Sequence, residues 1–292
     1  MWSIRSSYAL SMRLTPRYDG PAVFFVEGPA DDQREPLLRQ RRRLQDALAK
    51  LTADQWKHAS RCEGWSVQDV VAHLIGTNTF WTMSIVAGLA GSPTRVLAAF
   101  DPVATPAVMV EPMRAMSPTE TLEQFVETNQ SLFDAVESLD DAGWLTIAES
   151  PAGHVPVRLT ANHALWDAWI HERDILLPLG VVPVEEPDEI VSCLRYVAAV
   201  APVLAFSSDS TRRGALAIDA SEPDIQIVIE VDTTVVVRGG PAPTGAIRLS
   251  GRAVDLVESL SIRAPLRQSV PEDGRWLLDG LATVFDTHVE HV

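Results

Sequence analysis

The sequence predicts an all-α N-terminal four-helix bundle followed by a smaller α+β domain with an antiparallel sheet. Three observations carry this. Apolar residues return at helical spacing in four separately bounded segments between positions 34 and 177. From Ala215 to Leu249 the apolar period changes to two, with Pro, Asp and Gly-Gly turns between the runs. Between these regions Pro178 and Gly180 stop the last bundle helix. The expected parts are a poorly structured lead-in over 1–33, the bundle over 34–182 and the α+β domain over 183–292.

The elements follow in order. From Arg34, the residues Leu37, Leu38, Leu44, Ala47, Leu48 and Leu51 recur among arginines, which makes a first amphipathic helix ending near Thr52. Ser66 with Asp69 three residues later forms a capping-box start for the second helix, and Trp65 and Val70 are placed as its hydrophobic staple. The charge-free run Leu74–Thr94 is broken by Asn78, threonines, glycines and Pro93, so it reads as a core helix and not a membrane span. The proline-rich stretch from Gly91 to Pro118 is a long connection, of the kind that often carries function. Ser117-Pro118-Thr119-Glu120 starts the third helix, whose apolar face runs through Leu122, Phe125, Val126, Leu132, Phe133 and Val136. After a short candidate extended piece at Val155–Leu159, the fourth helix spans Thr160–Leu177.

In the second part, Ile190–Phe206 reads as a helix that Pro202 kinks or ends. Three or four strands follow at 215–219, 225–231, 234–238 and 246–250. A short helix over Gly251–Ile262 and a last one over Trp276–His288 complete the α+β pattern.

Composition narrows the function classes. Among 292 residues, 46% are hydrophobic and 22% charged, the balance of a folded globular chain. The formal net charge of −15 disfavours nucleic acid as a partner, and no stretch argues for a membrane partner. Two cysteines far apart, Cys62 and Cys193, make no disulfide framework and point to the reducing cytoplasm. The segment around Arg5 and Arg13 is too polar for a secretory signal, and Met12 is an alternative start.

No phosphate-binding glycine loop, G-x-S-x-G elbow, C-x-x-C or H-E-x-x-H is present. What stands out is His163, Asp167 and His171, four residues apart on the fourth helix, which form one stripe with a rise of about 6 Å per step. Imidazole and carboxylate are both ligands for a divalent metal, although most such side chains on helices are solvated or hydrogen-bonded. On the second helix, His73 falls in the second turn beside the apolar face. A lone histidine there is usually a core residue, but bundle metal sites are assembled from inward residues of facing helices. His73 with Asp167 and His171 would supply three protein ligands and leave a position open, the arrangement of a reactive site.

The segments CEGWSVQDVVAHL and LWDAWIHERDI resemble the two signature regions of the mycothiol-dependent maleylpyruvate isomerase family, part of the DinB-like metal-binding four-helix bundles. That resemblance covers roughly residues 35–180 and implies a divalent metal, usually zinc, on His73, Asp167 and His171. The isomerase carries glutamate where this chain has Asp167, so either the backbone approaches more closely or His163 serves instead, as in relatives with a His-x-x-x-His pair. The C-terminal part, through its GRAVDLVESL run, is similar to a sterol carrier protein-like domain.

The resemblance implies a metal-dependent enzyme of isomerase or thiol S-transferase type. In it the metal activates mycothiol as cosubstrate to attack a small electrophile. The alternative is a non-catalytic protein that binds a metal or a hydrophobic small molecule. Other residues carry weaker expectations. Cys62, beside a turn, reads as inert more readily than reactive, and Trp166 and Trp169 as core or pocket wall. Asp174 is a candidate acceptor for a ligating imidazole and Glu172 reads better as solvated. Arg173, Arg252 and Arg263 are candidates for an anionic substrate.

Overall fold

The computed structural model describes residues 16–29 and 31–285. Its elements are β1 (Phe24–Val26), α1 (Arg34–Leu48), α2 (Ala53–Trp56), α3 (Val67–Leu89), α4 (Ala104–Val110), α5 (Pro118–Glu137), α6 (Asp141–Leu145), β2 (Ile147–Ser150), β3 (Gly153–Pro156), α7 (Val157–Leu176), α8 (Pro187–Ser208), β4 (Gly214–Ser221), β5 (Ile225–Val231), β6 (Val235–Arg238), β7 (Ile247–Arg252), α9 (Ala253–Leu260) and α10 (Gly280–Val284). The four long helices α1, α3, α5 and α7 are the predicted bundle. Both predicted capping boxes form: the Asp69 amide donates to Ser66 Oγ while the Asp69 carboxylate accepts from the Ser66 amide, and Ser117 and Glu120 repeat the pattern.

Around the bundle, α3 packs on α5 and α7, and α1 closes the ring by packing on the same two helices. α3 and α7 run antiparallel, since His73 meets His171 at one level and Trp81 meets His163 at another. The predicted long connection between α3 and α5 contains α4 flanked by two single 3-10 turns. Arg114 of the second turn pairs with Asp69 at 2.9 Å, which ties this connection to the start of α3.

The expected boundary at 182–183 falls in the irregular segment between α7 and α8, yet one apolar cluster continues across it. α8 packs on α7 on one side and on β5, β6, α9 and α10 on the other, so it is a wall shared by both parts. It runs through Pro202 without ending there. The single lost amide bond is tolerated because the helix is clamped from both sides. By length and apolarity α3 and α8 could each cross a bilayer, but here they are packed inside the protein.

The sheet has the order β1-β6-β5-β4-β7. Its centre, β4-β5-β6, is the predicted antiparallel run. Both edges are added in parallel: β7 beside β4, and β1 beside β6 with Phe24 opposite Val235. This corrects the lead-in expected over 1–33, in which residues 24–26 are a strand of the C-terminal sheet and Phe24 and Val26 are buried. A three-residue strand has no period to read, and its partner lies some two hundred residues away. The part of that lead-in before residue 16 lies outside the described residues. The last predicted helix is also corrected: Trp276 sits in a 3-10 turn over Glu272–Leu277, and α10 is separate and short. Gly280, the first residue of α10, packs against the Ala201 backbone, where a Cβ would come within 2.5 Å of the carbonyl oxygen. The expected end at His288 lies outside the described residues.

The α3 helix approaches the β2–β3 hairpin so closely that a Cβ on Gly88 would lie 2.4 Å from the Ile147 carbonyl oxygen. An alanine normally stabilises a helix interior over glycine by about 0.5–1 kcal/mol. Here the sign reverses: Gly88→Ala is expected to lower stability by about 1–3 kcal/mol, read as the urea midpoint at unchanged slope. A stabilised variant would contradict the close packing of this junction.

Candidate metal centre

The cap at Ser66 sets the phase of α3 so that His73, in its second turn, faces α7. Antiparallel packing then brings it level with Asp167 and His171. His73 Nε2 lies 3.8 Å and His171 Nε2 3.6 Å from Asp167 Oδ1, and the two imidazole rings meet edge to face with centroids 4.9 Å apart. One donor atom from each of the three residues lies within 4.8 Å of the others. An ion about 2.1 Å from each ligand at tetrahedral angles would set those atoms about 3.4 Å apart, so the cluster needs only small side-chain adjustments to receive one. Asp167 Oδ2 is buried without a hydrogen-bond partner, which leaves that carboxylate with acceptor capacity facing inward. The donor set therefore fits a divalent cation.

His171 is held from behind. Its Nδ1 lies 3.0 Å from Asp174 Oδ2, and since a carboxylate only accepts, Nδ1 carries the proton and Nε2 is turned toward Asp167. Asp174 in turn accepts from Arg263 Nε at 3.0 Å on both oxygens and pairs with Arg61 at 3.3 Å. Cys62 Sγ completes this second layer, 3.3 Å from Asp174 Oδ2, 3.8 Å from His171 Nδ1 and 3.7 Å from Arg263 Nη2. Burial opposes charge on His171, Asp174 and Asp167, and their mutual pairing overrides it. The hydrogen bond to Asp174, then the one to Cys62 and the nearby Asp167 charge, raise His171 to about 10. The hydrogen bond and charge of His171, with Arg263 and Arg61, bring Asp174 down to about 2. His73 and the charge of His171 hold Asp167 well below the usual carboxylate range.

The remaining sequence candidates separate clearly. His163 is not among the converging side chains: its Nδ1 lies 2.6 Å from Tyr196 Oη on α8, and its ring is packed among Trp81, Trp166 and Tyr196. Glu172, read from sequence as solvated, is buried and bonded to Arg43 at 2.7 Å and to Gln40 at 3.1 Å, because α1 covers that side of α7. Trp166 and Trp169 are core, the former donating to Ser261 Oγ. Cys62, expected to be inert beside its turn, touches the cluster. Of the three arginines only Arg263 reaches it, since Arg173 is engaged by Glu258 and Glu185, and Arg252 by Glu185 and Glu222. Arg61 and the buried Arg41 were not singled out in sequence. One arginine among many carries no local signal, and Arg263 stands 89 residues from Asp174 along the chain.

A helical bundle joined through α8 to a smaller domain with antiparallel strands matches the fold of the maleylpyruvate isomerase. Residues 37–176 match the family described as Mycothiol maleylpyruvate isomerase N-terminal domain. The chain is similar in structure to the mycothiol-dependent maleylpyruvate isomerase, with a TM-score of 0.60 and 17% identity, over 84% of this chain and 96% of that one. It is equally similar to a histidine-to-alanine mutant of that enzyme, with a TM-score of 0.59 and 16% identity. In sequence it is 26% identical over 167 residues to an uncharacterized protein of Mycobacterium tuberculosis, found in two strains; the match covers 56% of this chain and 58% of the relative.

Burial lowers His163 to about 4, against the opposing pull of Asp167. The unfolded chain therefore takes up a proton near pH 6.5 that the folded chain refuses until about pH 4. Stability is expected to be undiminished above pH 6.5 and to fall through the window from 6.5 to 4, by up to about 3 kcal/mol from this group. In chelator-treated protein, His163→Gln should flatten that limb in urea titrations at pH 7, 5.5 and 4.5. Parallel wild-type and variant curves would rule the effect out.

Proposed function

We propose that this chain is a divalent-metal-dependent enzyme that uses a low-molecular-weight thiol, mycothiol, in an isomerase or thiol S-transferase reaction on a small electrophile. The carrying observation is the convergence of His73, Asp167 and His171 inside a mycothiol maleylpyruvate isomerase N-terminal domain. The two histidines and one carboxylate suit zinc, which when bound would lower the pKa of a coordinated thiol and present it as a thiolate nucleophile. The chain's own residues do the rest. Asp167 stays ionised between the imidazoles, and Asp174 holds the Nδ1 proton of His171 so that Nε2 is the nitrogen that would meet an ion, giving up its proton on binding. Of the three candidate arginines, Arg263 stands nearest the ligand cluster, bonded to Asp174 and 3.7 Å from Cys62 Sγ, which favours it for an anionic group of the substrate. Trp65, its ring centroid 5.6 Å from that of His73, and the Met113–Arg114 turn border the same side of α3. The family name, the bundle and this donor set support the reading together.

Protein purified without chelator is expected to carry about one divalent ion per chain. His73→Ala and His171→Ala should each lose it while keeping the helical circular dichroism, together with turnover in an assay of mycothiol plus maleylpyruvate or related electrophiles. Metal-free wild type that resists zinc loading would sink the metal reading, and loaded protein inert toward all thiol and electrophile pairs would leave a metal- or hydrophobic-ligand-binding protein. Asp174→Asn removes the orienting acceptor and should weaken zinc binding by about 10–100-fold in a competition titration. Unchanged affinity there would mean that His171 is oriented by packing alone.

A further inference from the structure

One turn of α7 before Asp167, about 6 Å along the helix axis, His163 stands in a collar of aromatic rings. The centroids of Trp81, Trp166 and Tyr196 lie 4.7, 5.2 and 5.3 Å from its own. Those three side chains are buried, whereas His163 is half-buried. Among the described residues the Tyr196 hydroxyl has one hydrogen-bond partner, His163 Nδ1 at 2.6 Å. A buried O–H that donated to nothing would be costly, so Tyr196 donates and Nδ1 accepts. The single proton of the imidazole then sits on Nε2. That nitrogen makes no hydrogen bond with the described residues and is not sealed from solvent. With Nδ1 turned to α8, Nε2 on the other edge of the ring is turned away from it. Beside it, the buried Trp81 indole N–H is a second donor without a partner. Two N–H donors between flat apolar walls suit an oxygen atom carried by a planar group.

We propose that His163 is a catalytic hydrogen-bond donor, its Nε2–H holding the carbonyl oxygen of a small conjugated electrophile, and that Tyr196 is the positioning residue that fixes its tautomer. The inference rests on the thiol reading given above. A thiolate sulfur that adds to an alkene carbon conjugated with a carbonyl forms an S–C bond. The alkene π pair shifts to the adjoining bond, and the carbonyl π pair becomes a lone pair on an enolate oxygen. Nε2–H steadies that oxygen and keeps its own proton, and loss of the thiolate reverses each shift. A donor held ready where negative charge develops favours the transition state over the bound substrate. The chemistry thus points to an unsaturated carbonyl compound, with the attacked carbon toward Asp167 and the oxygen toward His163.

Full-length, zinc-loaded protein would be compared as wild type, His163→Phe, His163→Gln and Tyr196→Phe, with circular dichroism for folding and chelator competition for zinc affinity. All four should fold and hold zinc alike. With mycothiol and maleylpyruvate, His163→Phe should lose about 100-fold in kcat with a much smaller change in KM. His163→Gln, whose amide still donates, should recover part of that loss. In nitrogen-15 spectra of histidine-labelled protein, with His163→Gln assigning the signals, wild-type His163 should carry its proton on Nε2, and Tyr196→Phe should mix the two tautomers. A wild-type proton on Nδ1 overturns the proposal, as does a folded His163→Phe with undiminished kcat, a loss seen in KM alone, or a loss of zinc in step with activity. Should His163→Phe fail to fold, the smaller His163→Leu decides by the same readings. Wild type that holds zinc yet turns over no thiol and electrophile pair removes the thiol reading and the donor role with it, an outcome distinct from an active wild type whose His163 variants are unimpaired.

Discussion

The α7 helix is buried along almost its whole length and yet carries Arg158, Asp167, His171, Glu172, Arg173 and Asp174. Charges in an interior must be paired and hydrogen-bonded, and breaking one such pair leaves an uncompensated charge whose cost is large against the net stability of a domain. Several neighbouring elements answer this constraint. α1 brings Arg43 and Gln40 to Glu172; α3 brings His73 to Asp167; the turn after α2 brings Arg61 to Asp174. α8 adds Glu189, which shares Arg43 with Glu172, and α9 brings Glu258 to Arg173 at 2.6 Å. The arrangement of the whole molecule around α7 is in good part the set of positions from which these partners reach it.

One result is that the candidate centre belongs to both parts of the chain. The inner group comes from α3 and α7, within the matched family domain, whereas Arg263 and Glu258 come from beyond it. Arg61 connects the two layers, pairing with Asp174 on one side and with Glu258 on the other. From Glu258 the chain of ion pairs continues through Arg173 to Glu185 and Arg252. Moving α9 relative to the bundle would break this chain and with it the support behind His171, so the sheet domain has a structural stake in the geometry of the inner site. The parallel edge strand β1 adds a further tie, since it carries the segment leading into α1 across to the far sheet.

Aspartate reaches a methylene less far than glutamate, and here it lies within 3.8 Å of both imidazoles without help from His163. His163 is instead given to Tyr196 and an aromatic cluster, where burial keeps it neutral at ordinary pH. The i, i+4, i+8 stripe on α7 is thus divided: two members meet His73 of α3, and the third packs between Trp81 of α3 and Tyr196 of α8. Helical drift contributes, because eight residues at 3.6 per turn overshoot two turns by about 80°, so the two ends of the stripe meet different neighbours.

The sequence by itself determined the elements whose causes are local. The bundle helices, their Ser66 and Ser117 caps, the change of period at Ala215 and the spacing of Asp167 and His171 all rest on residues within a turn or two of one another. His73 could be nominated as the facing partner because a capped amphipathic helix has a defined inner side. Only the tertiary structure decided that residues 24–26 become an edge strand, that Glu172 is buried, that Cys62 and Arg263 stand behind His171, and that Arg41 lies in the interior beside the turn bearing Asp167. These contacts close separations from 89 residues, between Arg263 and Asp174, to more than 201, between β1 and β6. No periodicity encodes them; they arise because a buried charge accepts whichever partner the packing of distant helices delivers.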